Sequence, residues 1–246
     1  MRHQYKLAFL VLFAVLAIAP LVVYPIFVIN LLCFAIFAIA FNLLFGQTGL
    51  LAFGHALFFG GAAYVTGYAL KAWGWPPEAA ILLGVAFAAV TGLFVGVLAI
   101  QRQGLFFSMI TLALAQMFYF ICVAAPFTGG DDGLSSVPRG YLFGTFDLMD
   151  DKVLYYFVFA VFAAVLLFVY RVMFSPYGQV LRAIRDNEAR ATSLGYAVQR
   201  YKLLVFVQSA ALAGLAGALK VLVFRIATLV DVHWSTSGDV VLMTLV

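Results

Sequence analysis

Charge is what this sequence has least of. Asp, Glu, Lys and Arg make up 10% of its 246 residues, against about a quarter in an ordinary soluble domain. Cysteine is scarce too, with only Cys33 and Cys122 present. Both fall inside apolar runs, which argues against a disulfide framework and leaves neither with metal-ligand company. Signatures of chemistry are also missing. No G-x-x-x-x-G-K-S/T, H-E-x-x-H or G-x-S-x-G occurs. The chain therefore has no P-loop for ATP and no recognisable hydrolase or zinc centre, and no catalytic or metal-binding residue is expected. No pair of carboxylates lies deep in an apolar run, as a proton-driven pump would need.

What is there is apolar side chain. Hydrophobic residues account for 66% of the sequence, and the mean hydropathy is +1.10. The apolar runs are roughly 18–25 residues long, which suits transmembrane helices, whereas a barrel strand would alternate over about ten. The expected fold is all-α, a single polytopic membrane helix bundle over residues 1–246. Spans are expected at Leu7–Val23, Ile26–Phe45, Leu50–Leu70, Pro77–Ile100, Leu105–Ala124, Val153–Val172 and Leu203–Phe224. Pro76 and Pro77 suit a helix entry. The triplet Ala17-Ile18-Ala19 resembles a signal-peptidase site, but Pro20 follows it and a second apolar run comes at once, so the first run reads as an uncleaved span. An eighth span starts near Asp239 and covers Val240–Val246, only about 10 Å of a core about 30 Å thick. A helix end in lipid would leave backbone groups unsatisfied, so the sequence is expected to be C-terminally truncated.

The net charge of +4 follows topology rather than a nucleic-acid surface. With a cytoplasmic N-terminus, Arg2, Lys6, Arg102, Arg171, Arg182, Arg185, Arg190, Arg200 and Lys202 lie inside. Lys71, Arg139, Lys152, Lys220 and Arg225 lie outside or near the outer ends. That bias has the sign expected of a membrane protein. Most acids, Asp231 among them, then fall outside. Trp73, Trp75 and Trp234 fall at outer interfaces, where indole rings prefer to sit.

Residues 174–202 form the one long polar, basic stretch, with helix-forming character and room to dock another protein. The outer loop Ala125–Asp151 carries Thr128-Gly129-Gly130-Asp131-Asp132-Gly133, which reads as a flexible acidic connector. A calcium loop would need a spacing it does not have. Glycines cluster between Gly46 and Gly67, and small residues between Ala210 and Ala218. They allow close helix packing, or broken helices that line a cavity. Uncharged polar groups in or near the spans include Asn42, Gln47, Thr48, His55, Gln208 and Ser209. Such groups suit a path for a polar or zwitterionic solute, or hydrogen bonding between helices.

Several segments carry a family resemblance. FNLLFGQTGLLAFGHALFFGGAAYVTGYAL (Phe41 to Leu70), FFSMITLALAQM (Phe106 to Met117) and FTGGDDGLSSVP (Phe127 to Pro138) resemble bacterial branched-chain amino acid permease subunits of the LivM type. So does SPYGQVLRAIRDNEARATSLGYAVQRYKLLVFVQSAALAGLAGAL, from Ser175 to Leu219. The resemblance runs in order from Asn30 onward.

It implies a helix bundle of the ABC importer permease type in the bacterial inner membrane. The implied partners are a second permease subunit, two cytoplasmic ATPase subunits that bind ATP-Mg, and a periplasmic amino-acid-binding protein. This chain itself would bind no cofactor. The segment around Arg182, Arg185, Asp186, Asn187, Glu188, Ala189, Arg190 and Gly195 then looks like the coupling loop that seats in the ATPase subunits. It departs from the general pattern E-A-A-x-x-x-G, since Arg190 replaces the third residue and Gly195 comes one place late. The implied cargo is leucine, isoleucine and valine, with urea, short amides or aromatic acids as alternatives inside the family. Asn42, Gln47, Thr48, Gly49 and His55 are the candidate substrate path, where helix ends and backbone groups could hold a zwitterion. An autonomous secondary transporter and an integral-membrane enzyme are the rivals from other classes.

Overall fold

The computed structural model describes residues 16, 19, 20, 23–102, 104–142, 144 and 146–245. The expected first span, Leu7–Val23, and the bases Arg2 and Lys6 lie almost wholly outside the described residues. The described part is all-α apart from one two-residue hairpin.

Helix α1 spans Pro25–Thr48 and opens on a proline that needs no N–H partner. It ends where Gly49 adopts a left-handed φ of 72° and returns its N–H to the Phe45 carbonyl, a closure glycine makes without a Cβ penalty. Helix α2 spans His55–Ala72, α3 Pro77–Ala99, α4 Leu105–Ala124 and α5 Asp151–Met173. Two short helices come next, α6 at Pro176–Asp186 and α7 at Glu188–Ser193. The long α8 covers Val198–Phe224 and α9 covers Trp234–Leu245.

Five of these helices, α1, α3, α4, α5 and α8, are long and apolar enough to cross a membrane. The expected seven spans plus the start of an eighth are therefore not all recovered. The predicted Leu50–Leu70 span starts instead at His55, because residues 49–54 form a connection of irregular backbone. The resulting α2, with three glycines and a lysine in its 18 residues, is not among the five. The predicted start near Asp239 moves back to Trp234, so the last helix has a polar first turn that apolar counting misses.

Helix α8 is the hub and packs against α1, α2 and α3. Small residues make this possible. A Cβ on Gly217 would sit 1.9 Å from the Phe59 carbonyl oxygen, and one on Gly214 would sit 2.3 Å from the Ala88 Cβ. Backbones that near gain the close packing that holds helices together in lipid.

The loop between α4 and α5 is not the flexible connector its composition suggests. Its chain pairs with the segment after α8, through Leu134 with Ala227 and through Val137 N–H to the Arg225 carbonyl. Arg139 is buried there. Its guanidinium donates to the carbonyls of Leu222 and Val223 at the end of α8 and to Asp151 Oδ1, at 2.8 Å, in the first turn of α5. A cation over exposed helix carbonyls is electrostatically favourable.

Candidate functional site

Three polar places stand out in the apolar bundle. The first is at mid-depth. His55 opens α2 and is fully buried. Its Nε2 lies 2.8 Å from Ser209 Oγ of α8, and Ser209 Oγ donates to the Ala40 carbonyl of α1 at 2.5 Å. Serine has one hydroxyl proton and the Ala40 carbonyl takes it, so His55 Nε2–H is the donor to Ser209. Phe41, Phe58 and Phe206 surround the imidazole edge-on. One residue on, the Ala56 N–H donates to Ser237 Oγ of α9 at 2.9 Å. This node therefore joins α1, α2, α8 and α9. Ala40 lies eight residues before Thr48, so the node sits about 12 Å in from the end of α1.

The chain reaches this depth through residues 49–54. Ser108 of α4 donates to the Leu51 carbonyl at 2.5 Å, and Gly54 packs onto the Thr111 backbone, where a Cβ would come within 2.7 Å of its oxygen. Irregular backbone at membrane depth survives where protein covers it and satisfies its polar groups. Ser209→Ala would leave the His55 donor unpaired, while the Ala40 carbonyl keeps its helical partner, the Leu44 N–H. The expected cost is about 1–3 kcal/mol, read as a lower midpoint of thermal unfolding in detergent.

The second place is the base of the bundle. Ser175 caps α6 by accepting the Gly178 N–H, and Asn187 caps α7 by accepting the Arg190 N–H. Leu181 and Ile184 of α6, Ala191 of α7 and Val198 of α8 face inward. Tyr177 stacks on Tyr201, and burial, then the neighbouring Tyr201, push its hydroxyl up to about 12. Arg182 Nε donates to Gln47 Oε1 at 3.1 Å, and a second nitrogen of the same guanidinium donates to the Met173 carbonyl at 3.3 Å. Arg185 donates to the Gly46 carbonyl at 2.6 Å. Glu188 pairs with Lys202 at 2.7 Å. Asp186, Asn187, Ala189, Arg190 and Gly195 are exposed.

The structure thus brings together residues that the sequence assigned to two different sites. Gln47 of the candidate substrate path meets Arg182 of the coupling loop, and its neighbour Gly46 meets Arg185. Within the candidate substrate path, convergence does not occur. Asn42 is exposed on the outer face of α1, over Gly46. Thr48 is buried and bonds back to the Leu44 carbonyl, and Gly49 forms the turn after α1. His55 points into the core node.

The third place was not foreseen. Asp231, expected on the outer side of the membrane, is buried, 3% exposed. It lies in the turn Leu229–Asp231 and pairs with Lys220 of α8, while its second oxygen accepts from Thr228 Oγ1 at 3.1 Å. Lys220 also sits over the rings of Phe34 and Phe59, at 5.4 and 5.5 Å from their centroids. The signal was Lys220 itself, since a lysine in an apolar helix demands a partner. Among the described residues no group of three His, Cys, Asp or Glu could hold a metal ion.

Comparison with known proteins adds a separate line. The family described as branched-chain amino acid transport system / permease component matches residues 24–246. The high-affinity branched-chain amino acid transport system permease protein LivM of Escherichia coli (strain K12) is 30% identical, over 76% of this chain and 49% of that protein. The protein of the same name from Salmonella typhimurium is 28% identical over the same shares. The chain thus spans about half the length of the curated relatives it matches. No solved structure matches it.

Proposed function

The chain belongs to the family of branched-chain amino acid transport system permease components, and from that premise we propose that it forms part of the membrane path of an ATP-driven importer. It is a multi-pass membrane protein, as the family and its five long apolar helices indicate. In this reading it works in the bacterial inner membrane with a cytoplasmic N-terminus. It passes leucine, isoleucine and valine inward beside a second permease subunit. Two ATPase subunits hydrolyse ATP-Mg in the cytoplasm, and a periplasmic binding protein delivers the amino acid.

The observation that carries the reading is the family match over residues 24–246. The α6–α7 loop supports it physically. A pair of short helices whose outer surface exposes Asp186 of α6 and Ala189, Arg190 and Ser193 of α7 can seat in a groove of a partner by complementary contacts. Their inner face, meanwhile, is packed on the bundle. The driving force is the direct test. In proteoliposomes holding the full-length chain with its partner subunits, an ABC importer keeps working when ionophores collapse every ion gradient and stops when ATP is withdrawn. The opposite pattern would establish a secondary transporter instead.

The solute path in this reading passes the inner half of α1. Asn42 is a polar side chain exposed at membrane depth there, a costly placement in lipid, and His55 ends the strap 49–54. Uptake by an Asn42→Leu, His55→Leu double variant should fall well below that of the parent. Unchanged uptake would remove both residues from the path.

A further inference from the structure

We propose that Arg182 and Arg185 are positioning residues that join the loop helix α6 to the carbonyl end of α1 as one rigid piece, so that motion of the loop is delivered to the strap 49–54 and the His55 node. This rests on the reading of α6–α7 as the loop that meets the ATPase subunits.

The geometry has three parts. First, both arginines are solvent-exposed, yet their guanidinium groups are already engaged by the protein itself. Arg182 reaches Gln47 Oε1 and the Met173 carbonyl, and Arg185 reaches the Gly46 carbonyl. Charge-assisted hydrogen bonds of this kind are about twice as strong as neutral ones. The positive charge also meets the negative end of the α1 dipole. Second, the chain just past α1 leaves the helix. Gly49 holds a left-handed φ of 72°, and residues 49–54 carry no regular hydrogen-bond ladder. Third, the far end of that strap is fixed. Leu51 is held by Ser108, and His55 is tied to Ser209. A push on α6 therefore reaches the centre of the bundle through one stiff joint and one short strap. Without the arginines, α6 could slide on its apolar seat while α1 stayed still.

The test uses the assembled complex of the full-length chain with its partner permease, ATPase subunits and binding protein. Two quantities are read, leucine imported and ATP hydrolysed. In an Arg182→Gln, Arg185→Gln variant the ATPase subunits should remain bound and hydrolysis continue, while leucine imported per ATP falls roughly tenfold or more. A Gln47→Cys, Arg182→Cys pair keeps the inference testable if that variant does not assemble. Before treatment it should be uncoupled, and a short thiol-to-thiol crosslinker added after assembly should restore the leucine-to-ATP ratio. Unchanged stoichiometry in the arginine variant would overturn the inference. So would loss of the ATPase subunits from it, which would make the arginines docking contacts, or a crosslink that blocks transport. If the coupling reading itself is wrong, the sign is different. An Ala189→Glu, Arg190→Glu variant would then keep its ATPase subunits and its uptake, and the inference falls with that reading.

Discussion

Replacing Asp231 with alanine should cost the protein about 3–5 kcal/mol, the usual penalty for stranding one member of a buried ion pair. The Lys220 ammonium would then stand against the rings of Phe34, Phe59 and Phe224 with no carboxylate. Cation–π contact returns only part of the loss, about 2 kcal/mol when desolvated. The turn Leu229–Asp231 would also lose its capping box with Thr228, and with it the segment that packs on α2, where a Cβ on Gly60 would meet the Asp231 carbonyl. Against a total stability of about 5–15 kcal/mol, the expected result is a sharp drop in monodisperse protein and a much lower unfolding midpoint in detergent. A Lys220→Met, Asp231→Asn double variant should be more stable than Asp231→Ala alone, because it strands no charge. Equal stability of Asp231→Ala and the parent would show that the pair does not hold the fold.

An Ala189→Glu, Arg190→Glu variant should fold normally, lose the ATPase subunits on purification and import nothing above background. Both side chains are exposed on α7, while Ala191 supplies its buried contact. Substitutions on such a surface usually stay within about 0.5 kcal/mol, so stability is not the route of the effect. A reversed charge and a bulky acid on a complementary surface repel the partner and destroy the fit. Wild-type uptake from this variant would place the ATPase contact elsewhere.

The helix starts were legible where chemistry marks them. Pro77 opens α3, and the Leu105–Ala124 helix has the boundaries its apolar run suggests. Backbone that leaves the helix inside an apolar run was not legible. Leu50 to Gly54 is as hydrophobic as a span, so composition could not separate a strap from a helix. Its irregular path depends on Ser108, more than fifty residues away. The partners of single polar residues were hidden for the same reason. Ser209 finds Ala40 and His55 across three helices. Lys220 finds Asp231 only because the chain after α8 folds back into the bundle. The loop was legible as a polar, helix-forming element, but the reach of Arg182 and Arg185 to Gln47 and Gly46 of α1 was not. Periodicity gives the face of a helix, and a long side chain can reach past that face.

The most direct measurement is ATP-dependent uptake of radiolabelled leucine by the full-length chain, reconstituted with its partner permease, ATPase subunits and binding protein. An importer permease of this family predicts uptake that requires the ATPase subunits and is competed by valine. Leucine uptake that persists without them, or a complex that hydrolyses ATP yet ignores both leucine and valine, would contradict it.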